Sequence, residues 1–139
     1  MIDDAKALEL FRFADPVQGV TLQVACDAPM ASGEESYYAA EIVVKSDFIT
    51  GTVGLHISDA DLDEWGQCLD ALEADEGVEW PPGGRSAWLS VVPEDPLEVT
   101  VHDSPSTQIA LRIPVDVPTG WLEENRLRLE QVRKAIAKR

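Results

Sequence analysis

A change of hydrophobic period at Ser58 constrains this chain more than any other feature of its sequence. Before it, apolar side chains alternate with polar ones: Val20, Leu22 and Val24, then Tyr38, Ala40, Ile42 and Val44, then Ile49, Val53, Leu55 and Ile57. Successive strand residues point to opposite faces, so each set marks a half-buried strand. After Ser58 the spacing becomes helical, and Leu62, Trp65, Leu69 and Leu72 fall on a single stripe. A sheet built first and a helix laid over it is the arrangement this order requires.

The turns complete the reading. Residues 38–57 form a hairpin closed at Ser46-Asp47, where the missing Gly predicts a loop slightly longer than the tightest types. Leu8 to Phe13 makes a first strand. Ser58 is placed to cap the helix, with Asp61 three residues on as its capping-box acid and Gly77 at the exit. Beyond Pro81-Pro82-Gly83-Gly84, strands are expected at about 86–92, 97–103 and 107–114, joined by turns at Pro93–Pro96 and Asp103–Ser106. Pro118-Thr-Gly120 introduces a last helix with Leu122, Leu129, Val132 and Ile136 on one face. The expected fold is α+β, a single domain over 1–139 with one antiparallel sheet of about six or seven strands and two helices packed on one face.

Charge then limits the partners. The net charge is −15, but residues 1–120 hold 23 acidic and 5 basic side chains while residues 121–139 hold 3 and 6. So negative a body repels phosphate backbones, which argues against direct nucleic-acid binding and favours a basic protein partner. No stretch approaches the roughly 20 apolar residues of a spanning helix. The start, acidic where a secretory signal is basic, and the two widely spaced cysteines, Cys26 and Cys68, lead to the expectation of a cytoplasmic protein with reduced thiols.

Catalytic and metal patterns fail one by one. Asp59, Asp61 and Asp63 have the spacing of the first calcium ligands of an EF-hand, but Glu64 stands where its sharp turn needs Gly, and the helical stripe runs through. His56 and His102 lie on polar strand phases, and Asp103, next to His102, faces the other way. No cofactor and no metal is expected, and no catalytic residue is assigned. Trp65 belongs to the helix stripe and Trp88 to a strand. Trp80 and Trp121 sit at element boundaries, where an indole can be partly exposed. The candidate partner-binding residues are Asp75, Glu76 and Glu79 in the acidic stretch after the first helix, with Trp80 and Arg85 as an aromatic and loop pair.

The run Ala40-Glu-Ile-Val-Val-Lys-Ser-Asp-Phe48, then Leu55-His-Ile-Ser-Asp-Ala-Asp-Leu-Asp-Glu-Trp65 with Leu69 and Leu72, resembles a small uncharacterised domain family of actinobacteria. Gly120-Trp-Leu-Glu-Glu-Asn-Arg-Leu-Arg-Leu-Glu-Gln-Val-Arg133 is similar to that family's closing helix. The resemblance covers most of the chain and implies no activity. In layout and charge the chain is also similar to immunity proteins that neutralise toxins.

Three classes of function follow. A non-catalytic protein-binding domain, in its sharper form an immunity or antitoxin-like neutraliser of a basic enzyme, accounts for the acidity. A small enzyme or ligand domain with a carboxylate site assembled in space leaves no local motif. A structural subunit of a larger assembly would show a large exposed apolar patch.

Overall fold

A computed structural model describes residues 7–26, 30–32, 35–83, 86–103 and 106–137. In chain order the elements are β1 (Ala7–Ala14), β2 (Gln18–Ala25), β3 (Met30–Ser32), β4 (Glu35–Ser46), β5 (Thr50–Ser58), α1 (Asp59–Glu73), β6 (Val78–Trp80), β7 (Ala87–Val92), β8 (Leu97–Asp103), β9 (Ile109–Val115) and α2 (Trp121–Ala137).

The α+β class holds, but the strands form two sheets and not one. β1, β2, β4 and β5 are neighbours in that order, with β3 pairing the start of β4; β6, β7, β8 and β9 form the second sheet. All of these pairs are antiparallel. Alternation identifies which side chains a strand buries, not which strand it joins after a helix intervenes. The chain leaves β5 through α1 and returns as β6, which pairs with β7. β3 and β6, three residues each, are too short to show a period. The helices meet different strands: α1 packs on β4, β5 and β6, whereas α2 packs on β1 and α1.

Local chemistry explains the elements that were foreseen. The Ser58 hydroxyl accepts from the Asp61 amide at 3.3 Å, and the Asp61 carboxylate accepts from the Ser58 amide at 2.9 Å, which is the reciprocal capping box. That carboxylate is therefore engaged at the helix start. Leu62, Trp65, Leu69 and Leu72 are all buried. The exit differs, because Asp75 and not Gly77 takes the left-handed conformation, at φ 60°. In the β4–β5 hairpin the Ser46 amide donates to the Ile49 carbonyl at 2.9 Å across Asp47 and Phe48, and the Ser46 hydroxyl accepts from the Phe48 and Ile49 amides at 3.1 and 2.9 Å, so a side chain holds the connection that has no Gly. Gly19 closes the β1–β2 hairpin opposite Ala14, where an added Cβ would come within 2.6 Å of the Ala14 Cβ.

β1 breaks its own alternation. Leu10 is an extra residue between the pairs Glu9–Gln23 and Phe11–Leu22, so Leu10 and Phe11 are both fully buried. Around them Phe11, Phe13, Trp65 and Trp80 form an aromatic cluster, with ring centroids 4.7 Å apart for Phe11 and Trp65 and 5.5 Å for Trp65 and Trp80. The core is continuous across both sheets and both helices.

The second sheet is tied across the end of the first. The Asp116 amide donates to the Asp15 carboxylate at 2.9 Å, and the Gln18 side chain donates to the Pro114 carbonyl. At its other end Ile109 and Leu111 of β9 line a concavity together with Val44, Gly51 and Val53. Because β2, β4 and β5 are successive neighbours, β9 lies across these strands and not along them.

Candidate functional site

Four strands in register expose a patterned outer face on the second sheet. Ala87, Leu89 and Val91 of β7 point inward and are buried, so Trp88, Ser90 and Val92 point outward. Register then fixes the neighbours: Glu79 lies opposite Ser90, Ser90 opposite Thr100, Thr100 opposite Arg112, while Trp88 lies opposite His102 and His102 opposite Ala110. The Trp88 and His102 rings stack with centroids 3.7 Å apart and planes within 8°. Both are half-buried, so an aromatic platform remains accessible at the surface.

Glu79 shares this outer face, opposite Ser90, and further acidic groups lie on α1 and in the turn that precedes β6. Cys68 of α1 reaches the Glu79 carbonyl with its Sγ at 3.9 Å, and Glu64, one turn earlier on the helix, adds negative charge there. Burial first, and Glu64 second, push the Cys68 thiol up to about 11. Asp75 and Glu76 occupy the exposed turn between α1 and β6, and Glu79 is exposed on β6 itself. Glu64, Asp75, Glu76 and Glu79 have no ion pair with any described residue.

Other acids are neutralised, and by the basic residues of α2. Arg126 bridges Asp70 at 2.8 Å and Glu73 at 3.1 Å, and Arg133 meets Asp63 at 3.1 Å. Arg128 approaches Glu9 at 3.4 Å, and Arg12 grips the same carboxylate at 2.8 Å. The Arg12 hydrogen bond, helped by both guanidinium charges, holds the Glu9 carboxyl below its usual range despite partial burial. The positive C-terminal segment read from the sequence is thus a clamp between α2 and the body. The acids it leaves uncompensated include Glu64, Asp75, Glu76 and Glu79.

The residues singled out from sequence divide accordingly. Asp75, Glu76 and Glu79 are each exposed. Trp80 is 0% exposed, with its Nε1 donating to the Asp61 carbonyl at 2.8 Å and its ring packed on Phe11 and Trp65. The expectation of an exposed indole there is corrected, because β6 sets Trp80 opposite the inward Leu89. Arg85 lies outside the described residues. Trp88 takes the place intended for Trp80, and its position on the polar phase of the 87–92 alternation was the signal that could have found it. Trp121 is half-buried against Phe13, at 5.8 Å. Asp103 accepts from Thr107 at 2.8 Å, while the neighbouring His102 stacks on the outer face.

Among the described residues no group of three or more His, Cys, Asp or Glu is arranged to hold a metal ion, and no helix is long and apolar enough to cross a membrane. A concavity of about 490 Å³ lies on the outer face of the first sheet and is lined by Arg12, Gln18, Thr21, Gln23 and Lys45 among others.

Residues 8–137 match the model of a family of unknown function (DUF5959), and the chain belongs to that family. No curated protein and no solved structure matches it.

Proposed function

We propose that this DUF5959 member is a non-catalytic protein-binding domain of the cytoplasm, which captures a basic protein on the outer face of the second sheet. One observation carries the reading: the arginines of α2 are spent on Asp63, Asp70, Glu73 and Glu9, yet Glu64, Asp75, Glu76 and Glu79 have no ion pair with any described residue, and Glu79 shares the outer face of the second sheet with the Trp88–His102 stack. Unpaired acids steer a cationic partner toward the surface, and an aromatic platform supplies the apolar contact that keeps it there. An immunity or antitoxin-like neutraliser of a basic enzyme is the sharper form of this proposal.

A second reading, a small-ligand domain, has the concavity of about 490 Å³ in its favour, since that volume is within the range of small-molecule sites. The two part experimentally. Affinity capture from the native cell extract, with the wild-type protein and Trp88→Ala side by side, should yield a basic protein that the variant loses. Capture of an acidic protein, or equal retention by Trp88→Ala, would remove the support for this face.

A further inference from the structure

The Trp88–His102 stack is incomplete on one side. The two residues face each other on adjacent strands, whose spacing is about 4.8 Å, so parallel rings 3.7 Å apart stand upright side by side on the sheet. The next position in that row is Ala110 on β9, which is exposed and whose methyl group is far shorter than a ring. Nearby Arg112 does not fill the gap: its guanidinium is held 3.1 Å from Glu98, which lies opposite Pro114 and therefore on the far side of Arg112 from Ala110. Among the described residues a slot one strand-spacing wide, open toward the sheet edge that β9 forms, is left against the β9-facing side of His102.

What fits the slot follows from shape and charge. A planar group is needed to lie parallel to an imidazole. In a protein of net charge −15 the planar group favoured at this surface is a cation. Guanidinium is flat, positive and weakly hydrated, and stacks on aromatic faces, whereas the ammonium of lysine is compact and strongly hydrated. We propose that the slot above Ala110 seats the guanidinium of an arginine carried by the partner, which gives the site a preference for arginine over lysine at equal charge. The inference rests on the reading of this face as the docking surface for a basic protein.

Two short peptides, one alternating glycine with arginine and the other glycine with lysine, test it by amide NMR titration of the full chain. The arginine peptide should shift the His102 and Ala110 resonances and bind about threefold to fivefold more tightly, the range expected of an exposed cation–π contact. Ala110→Leu occupies the slot at an exposed position; it should leave the melting temperature unchanged and make the two peptides equal. Equal affinities for the wild type, or an arginine preference that survives in Ala110→Leu, would overturn the slot. Salt-sensitive binding of both peptides without preference overturns the slot and leaves the docking face standing, while failure of both peptides to bind counts against both.

Discussion

Asn125 is the residue whose removal should reveal most about how α2 is held. It is fully buried, and its side chain closes the free edge of the first sheet: Oδ1 accepts from the Arg12 amide at 2.8 Å and Nδ2 donates to the Arg12 carbonyl at 3.2 Å. An edge strand left open is a template for pairing with other chains, and here a side-chain amide stands in for the missing strand. Asn125→Ala deletes both hydrogen bonds, at about 0.5–1.5 kcal/mol each, and strands two part-buried backbone groups at a further cost. Arg128 loses an acceptor at 3.3 Å but retains Glu9, so its share is small. The expected total is about 2–4 kcal/mol. Asn125→Leu, which keeps most of the volume and none of the hydrogen bonding, should lose most of the same amount. Urea unfolding measures both variants, and hydrogen exchange at the Arg12 amide reports the edge directly. A loss under about 0.5 kcal/mol in both, or unchanged protection at Arg12, would refute the edge-closing role.

Leu69 is fully buried in the α1 stripe, so Leu69→Ala should cost about 2–5 kcal/mol in urea unfolding. The Cys68 thiol, pushed up to about 11, should alkylate at pH 8 more slowly than an unhindered cysteine, as followed by site-resolved mass spectrometry. Its folded form holds the proton to higher pH than the unfolded chain does, so its contribution to stability is complete below about pH 9 and lost as pH rises through about 11. Glu9 has the opposite sign: its depressed value contributes stability above about pH 4.5 that is lost on acidification, so Glu9→Gln should flatten the acid limb of the stability profile.

Much of the local structure was legible, because short-range rules determine it. Ser58, Asp61 and the four stripe residues define α1 with no help from the rest of the chain. The β4–β5 and β8–β9 hairpins join sequence neighbours, so alternation and turn residues sufficed. Pairing beyond a helix is a tertiary choice, which is why β6 could not be assigned to a separate sheet. Asn125 looked like an ordinary polar residue in a helix, since the edge it closes lies 113 residues earlier in the chain. For the candidate site, the acidic turn was visible as composition. The exchange of Trp80 for Trp88 required knowing which phase of each strand faces inward. The α2 arginines were read as helix-terminal charge, and only packing reveals that Arg126 and Arg133 neutralise α1.

The most direct test of electrostatic capture is the association rate of the captured partner, measured by stopped flow from low to physiological ionic strength. Wild type is compared with a variant in which Asp75, Glu76 and Glu79 are all changed to Lys. Screening shortens to about 8 Å at physiological salt, so steering predicts an on-rate that falls about tenfold or more over this range while the off-rate changes less. The reversed variant should remain folded, because all three side chains are exposed, and should associate slowly at every salt concentration. An on-rate indifferent both to salt and to the three reversals would contradict the account.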